Sequence, residues 1–118
     1  MKVETFGSKK EIVKYPDLCA AVGVVLDTTA FATIAAANGG DVPAGTFVHF
    51  DLDNRATKAV PASDTKVAVG VLRYDVKLDS KEANAAAAII HGFVDLDKIP
   101  AAPTAAQRES LPHVTFLR

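Results

Sequence analysis

The stretch AAAAIIHGFVDL, residues 85–96, decides the fold that this chain adopts. Its four consecutive alanines alone would favour a helix, because alanine has the highest helix propensity. The residues that follow argue the other way, since Ile89-Ile90 and Phe93-Val94 flank Gly92. β-Branched and aromatic side chains suit the surface of a pleated sheet. We therefore predict a strand that ends at the acidic residues beyond it.

Four further segments predict strands. Residues 18–26, LCAAVGVVL, form a continuous apolar run that is typical of a buried strand. Residues 67–78, VAVGVLRYDVKL, predict the best-defined strand of the chain, in which Gly70 marks a bulge or a close approach of two backbones. Shorter strands are predicted over residues 46–50, after a turn at Pro43-Ala44-Gly45, and over residues 114–117.

Two segments carry helix signals. Thr104 and Gln107 have the spacing of a capping box, which predicts a short helix running to about Ser110. Residues 32–37 are ambiguous, because they suit either a helical turn capped by Asn38-Gly39-Gly40 or a strand ending in a turn. The expected fold is mainly β with one or two short helices, in a small single-domain β-sandwich or barrel-like arrangement.

Length and composition narrow the classes of function. A chain of 118 residues indicates one domain with one modest core. Its 13 Lys+Arg and 14 Asp+Glu give a net charge of −1, which argues against nucleic acid as a partner because a polyanion requires a concentrated basic face. The opening residues lack the apolar core of a signal peptide, and no apolar run is long enough to span a membrane. The many small apolar side chains bury little area each, so association with copies of itself or with another surface is expected to add stability.

Residues 1–17 are predicted to form an extended N-terminal arm, and residues 18–118 the mainly β domain. Isolated apolar residues in a polar segment cannot form a core of their own, so they would be exposed unless they fold back onto the domain. A solvated tail and an ordinary edge strand of the domain's own sheet are the two alternatives to a partner-binding arm.

Two similar stretches, FVHFDLDNR at 47–55 and HGFVDLDKIP at 91–100, place a histidine and two spaced aspartates beside apolar residues. A calcium loop needs oxygen ligands at alternate positions, then a glycine and a distant glutamate. Arg55 takes the third ligand position in the first stretch, and Ile99-Pro100 follow in the second. We interpret both stretches as strand ends followed by turns, with the leucine of each Asp-Leu-Asp pointing inward and its aspartates outward.

The remaining candidates for chemistry also lack the required pattern. His49, His91, His113 and Cys19 are the candidate zinc ligands, yet no two of them are separated by two or four residues. Cys19 lies in an apolar run, which predicts a buried and unreactive thiol. No nucleophile or phosphate-binding motif is present, so we predict that the protein is not an enzyme and has no cofactor and no metal ion.

Residues 62–100, together with the turn VPAGTFV at 42–48, resemble the head fibre and head decoration proteins of tailed phages, especially phages of Gram-positive hosts. In that family a G-V-L-x-x-D-V strand is followed by a polar turn and a strand ending in G-x-V-D-x-x-K-L/I. The opening ETFGSKKEIVKYP and the closing LPHVTFL are also similar to the family's ends, whereas Phe47 stands where the family's turn often has proline. The residues that carry the likeness are Gly70, Val71, Leu72, Asp75, Val76, Gly92, Val94, Asp95, Lys98 and Ile99.

The resemblance implies a structural virion protein without catalytic residues. Such a protein is made in the host cytoplasm and binds the outer surface of the major capsid protein shell as a homotrimer, where it stabilises the head or presents a surface. On this hypothesis the arm makes much of the capsid contact, through Lys2, Val3, Phe6, Lys9, Lys10, Ile12, Val13, Lys14 and Tyr15. The alternative is a small β module that binds carbohydrate or adheres to the host surface, with a host-surface glycan as partner and exposed aromatic rings as its platform.

Overall fold

The computed structural model describes residues 12–13, 19–54, 57–63, 65–79 and 84–117. Within these residues the fold has eight strands and two α-helices. In chain order they are β1 (Ala20–Leu26), α1 (Thr28–Ala37), β2 (Asp41–Val42), β3 (Phe47–His49), β4 (Val60–Pro61), β5 (Gly70–Leu72), β6 (Val76–Lys77), β7 (Asn84–Asp95), α2 (Ala105–Ser110) and β8 (Val114–Leu117). The chain is therefore a small, mainly β single domain with two helices, as its sequence predicts.

Strand β7 is the centre of the main sheet. Of its twelve residues, seven pair antiparallel with β1, two of these also pair antiparallel with β5, and the last four pair parallel with β8. The sheet continues from β5 to β3 and β4, while β2 and β6 form a separate antiparallel pair. The prediction that the alanine-rich stretch is a strand rather than a helix is confirmed, because the β-branched and aromatic residues beyond the alanines extend the same pairing.

The two outer strands of the main sheet meet at one end. Ala59, next to β4, forms a parallel bridge with Leu26 of β1. Its carbonyl oxygen accepts the Asp27 N–H at 2.9 Å, and its own N–H donates to the Val25 carbonyl at 2.8 Å. The sheet is thus closed like a barrel at this end of β1. Along residues 20–24, by contrast, the described residues place no second strand beside β1.

Buried apolar side chains form two clusters, one on each face of the sheet. The helix-side cluster comprises Val24, Leu26, Phe31, Ala35, Val42, Val48, Phe50, Ala59, Leu72 and Ala88. The terminal-side cluster comprises Ile12, Val13, Ala44, Ala68, Val71, Ile89, Val94, Leu111, Val114 and Phe116. Neighbouring residues of a strand alternate between faces. Val71 and Leu72 therefore enter different clusters, and so do Ala88 and Ile89.

A bulge in β7 allows residues on both sides of it to point into the terminal-side cluster. Ala21 pairs with Ile89 but Ala20 pairs with His91, so Ile90 is an extra residue without a partner in β1. An extra residue moves every later side chain to the other face. Ile89 and Val94 are an odd number of residues apart, yet both are buried in the terminal-side cluster because the bulge lies between them.

Capping side chains fix both helices. Around α2, the Thr104 N–H donates to Gln107 Oε1 at 2.9 Å and the Gln107 N–H donates to Thr104 Oγ1 at 3.2 Å, so the predicted capping box is confirmed. At α1, Asp27 Oδ1 accepts the N–H groups of Thr29 and Ala30, and Asn38 is the C-cap. The helical alternative for residues 32–37 is therefore the correct one.

The strand predicted over residues 67–78 is only partly right. Its Gly70–Leu72 and Val76–Lys77 portions are strands, but they belong to different sheets. The chain turns between them, where Asp75 Oδ1 accepts the Ala44 N–H at 2.7 Å. The close approach predicted at Gly70 is confirmed, because a Cβ there would lie 3.0 Å from a Phe50 ring carbon and 3.1 Å from the Ala88 Cβ.

Two hydrogen bonds and one packing contact hold the turn at residues 43–46 in place. Asp75 binds the Ala44 N–H, and the Gly45 N–H donates to the Leu72 carbonyl at 2.8 Å. Gly45 has a φ of 92°, and a Cβ at this position would lie 2.6 Å from Ile99 Cγ2. Only glycine satisfies both this backbone conformation and this contact.

We predict that Gly45→Ala lowers the free energy of unfolding by about 2–4 kcal/mol, because it adds left-handed backbone strain to overpacking against Ile99. Chemical denaturation of the variant and of the parent measures the difference. The matched control is Gly39→Ala, where φ is 69° but a Cβ meets no atom within 4 Å, so this variant should lose only about 1–2 kcal/mol through left-handed backbone strain. Equal stability of the Gly45→Ala variant and the parent would contradict this account of the turn.

Candidate functional site

The described part of the predicted arm belongs to the domain's own core. Ile12 is fully buried and Val13 is 6% exposed, both within the terminal-side cluster. Val13 forms an antiparallel bridge with Val94, and the Asp95 N–H donates to the Ile12 carbonyl at 2.8 Å. This corrects the expectation that these two side chains face a capsid, because they already fill the domain's own core. The edge-strand alternative describes them better.

The other predicted capsid-contact residues lie outside the described part of the chain. They are Lys2, Val3, Phe6, Lys9, Lys10, Lys14 and Tyr15. Their role stays a prediction. Ile12 and Val13 are nevertheless part of the buried core. An arm that contains no core residue must therefore end before Ile12.

Both Asp-Leu-Asp motifs contain the same hydrogen bond from side chain to backbone, in a bend at residues 52–53 and at the start of a 3-10 helix, Leu96–Lys98. The Asp53 N–H donates to Asp51 Oδ1 at 2.9 Å, and the Asp97 N–H donates to Asp95 Oδ1 at 3.0 Å. An aspartate that binds the backbone two residues ahead stabilises a turn at a strand end. The predicted strand-end role of these aspartates is therefore confirmed at both motifs.

The predicted direction of the two leucines is only partly correct. Leu96 is half-buried and packs against the terminal-side cluster, as expected. Leu52, however, is 51% exposed. Asp51, Leu52 and Asp53 are all exposed because this turn lies beyond the end of β3, where no second layer covers it.

The candidate metal ligands are placed in two separate regions. His49 Nδ1 lies 2.7 Å from the Val67 carbonyl oxygen. His91 and His113 are brought side by side, with ring centroids 6.0 Å apart. Among the described residues, no group of three or more His, Cys, Asp or Glu side chains is arranged to hold a metal ion. Cys19 is half-buried against the terminal-side cluster, so the prediction of a buried thiol is only partly correct, and its low reactivity stays a prediction.

One unprotected feature of the sheet is the outer edge of β1, called here the open edge and comprising residues 20–24. Its sequence, AAVGV, contains no charged residue and no proline. Native proteins usually protect sheet edges with lysine, proline, bulges or a covering segment, because free backbone groups pair readily with another strand. Within the described residues none of these devices protects positions 21–24, and the bulge residue of this pair, Ile90, lies on β7.

Next to the open edge lies a flat surface of small side chains, called here the outer face. Its members lie on the same face of the β1–β7 pair as Ile89, in the part that the terminal-side cluster does not cover, and they are Ala21, Gly23, Val25, Ala85 and Ala87. Ala21, Gly23 and Ala85 are exposed, and the other two are half-buried. Side chains this small let a second backbone come close, so the open edge and the outer face together form a surface suited to another strand.

Other surface features are less suited to binding. Two surface grooves have volumes of about 280 and 260 Å³, below the range of about 300–1,000 Å³ typical of small-molecule sites. All aromatic side chains within the described residues are buried or half-buried, so this part of the chain presents no aromatic platform. No helix in the same part of the chain has the length and apolar character needed to cross a membrane.

The three stretches that carry the resemblance to phage head proteins meet at one place in the fold. The turn at residues 43–46 receives Asp75 from the second stretch and Ile99 from the third. Comparison with known proteins adds no relative: no family model matches this chain, and no curated protein matches it.

We predict that Asp95→Ala lowers the free energy of unfolding by about 1 kcal/mol, because the carboxylate that holds the turn is lost. Asp53→Ala is the matched control and should change stability by less than about 0.5 kcal/mol, since Asp53 is the exposed second aspartate of the other motif, where Asp51 is the acceptor of the turn bond. Millimolar calcium should leave the thermal midpoint of the parent protein unchanged. Equal losses in both variants, or a rise in the midpoint with calcium, would favour a metal site over a turn.

Proposed function

We propose that this protein is a structural component of a tailed-phage virion that decorates the outer surface of the capsid. The observation that carries the proposal is the convergence of the three family-like stretches on the turn at residues 43–46. Short motifs are unspecific when taken singly, so their packing around one turn supports them as a set. The Asp75 carboxylate on the Ala44 N–H and the Ile99 side chain against Gly45 make the stretches parts of one structural unit, which supports the resemblance as a whole.

We assign the open edge and the outer face to contact between copies of this chain, which associate as a homotrimer. An uncharged edge lets three copies meet around a three-fold axis without bringing like charges together. The small outer-face side chains leave room for close packing of a neighbouring copy.

Contact with the major capsid protein is assigned to residues 1–11, together with Lys14 and Tyr15. The segment contains Val3 and Phe6 for apolar pockets and Lys2, Lys9 and Lys10 for an acidic surface. An extended segment that adds to a sheet edge gains main-chain hydrogen bonds, and its charges speed encounter more than they tighten binding. Ile12 and Val13 act as the anchor that ties this segment to the domain.

We predict that deleting residues 1–11 leaves the domain folded and weakens its binding to expanded heads at least about tenfold. The core residues Ile12 and Val13 remain in this variant, so its thermal midpoint should stay near that of the full chain. Sedimentation of the protein with heads of the source phage measures binding.

The control deletion removes residues 1–14 and with them two core side chains. Burial of an isoleucine is worth about 2–5 kcal/mol on truncation, so this longer deletion should lose stability as well as binding. A folded 1–11 deletion that decorates heads with unchanged affinity would overturn the assignment of capsid contact to this segment.

We further predict that Ala21→Lys shifts the free protein from trimer to monomer without unfolding it. A lysine at the centre of the open edge brings three like charges together at the contacts of a trimer, which repel. Analytical ultracentrifugation measures the oligomeric state, and Thr115→Lys is the charge-matched control because the Thr115 side chain is exposed. A parent protein that is a strict monomer both free and on the capsid would contradict the trimer.

A further inference from the structure

His91 and His113 form a pair that their positions in the sequence do not suggest. Strands β7 and β8 run parallel, and Gly92 pairs with Val114, so the residues just before them are neighbours. The Gly92 N–H donates to the His113 carbonyl at 3.0 Å, which fixes the two backbones beside each other. The two rings have centroids 6.0 Å apart and an interplanar angle of 30°.

Both imidazoles are exposed on the same side of the sheet. The bulge at Ile90 turns His91 away from the terminal-side cluster that buries Ile89. His113 precedes β8 and is exposed as well. Exposed rings rotate at little cost, whereas the strand pairing below them holds their attachment points together.

The separation of the rings fits a shared metal ion. With metal–nitrogen distances of about 2.0–2.1 Å, two imidazoles on one ion have centroids about 5.2 Å apart in a tetrahedral arrangement and about 4.5 Å apart at a right angle. A closure of roughly 1 Å from the observed spacing therefore brings both rings within range of one cation.

We propose that His91 and His113 form a two-ligand site for a divalent transition-metal cation that prefers imidazole nitrogen. Copper(II) is expected to bind most tightly, and nickel(II) and zinc(II) more weakly. Water fills the remaining coordination positions, because the described residues supply no third ligand. Magnesium and calcium prefer oxygen ligands and do not bind this pair.

The site connects the final strand to the central strand. The pairing of β8 with β7 covers four residue pairs, from Gly92 with Val114 to Asp95 with Leu117. A cation held by the two histidines would join the two strands directly before the first of these pairs, Gly92 with Val114. Because the unfolded chain does not hold the two rings together, the bound cation stabilises the docked position of β8.

The test is a titration of the full chain with copper(II), followed by amide NMR spectra and by calorimetry. A paramagnetic ion at the pair should broaden the amide signals of Gly92 and Val114 at equimolar metal and leave that of Phe31 sharp. His91→Ala and His113→Ala should each weaken binding at least about tenfold. His49→Ala is the matched control and should leave the affinity unchanged, because His49 lies on β3 beside Val67.

The spectra of the variants also report whether each remains folded, so loss of binding is separable from loss of structure. Three outcomes would overturn the proposal. They are the absence of broadening near Gly92 and Val114, an affinity that only one of the two histidines affects, and an equal loss in His49→Ala.

Discussion

Strand β7 contributes buried side chains to both apolar clusters, and the arrangement of the other elements depends on this double role. Its Ala88 enters the helix-side cluster and its Ile89 enters the terminal-side cluster, with both side chains fully buried. Beyond Ile90 the bulge exchanges the faces, which returns Val94 to the cluster that already holds Ile89. Without that extra residue Val94 would point to the opposite face of the sheet, and the terminal-side cluster would lose this side chain.

The small side chains of β7 and β1 allow backbones to pack closely, but they leave one edge of the sheet unprotected. They fit where two backbones lie close together, as the contacts around Gly70 demonstrate. They also leave β1 with an edge that no charge or proline protects along residues 21–24. Ala59 closes the sheet at Leu26, so the exposed part of the edge is confined to the opposite end of β1. A surface of this kind is typical of a protein that works in contact with other subunits.

Much of the fold could be predicted from local sequence. The capping box at Thr104 and Gln107 is a pattern within four residues, and the apolar run before Asp27 needs no distant partner to define a strand. The break within residues 67–78 could not be predicted, because it depends on Asp75 meeting Ala44 from another part of the chain. Burial of Ile12 and Val13 was missed for the same reason, since two apolar residues without a period carry no sign of the strand that receives them.

The candidate sites also divide into those that local sequence predicts and those that depend on contacts between distant parts of the chain. The turns at Asp51 and Asp95 follow from a contact two residues long, and sequence reasoning identified them. The histidine pair depends on the parallel register of β7 and β8, which no spacing rule reveals. Leu52 was placed inward by the alternation of a strand that in fact ends before it.

The most direct test of the central claim is a cryo-electron microscopy reconstruction of expanded heads of the source phage, saturated with the purified protein. The account predicts additional trimeric density on the outside of the shell, with the β1 strands of the three copies facing one another and density for residues 1–11 against the capsid. Heads that acquire no additional density would contradict the proposed function. Bound monomers whose β1 edges face solvent would contradict the proposed mode of assembly.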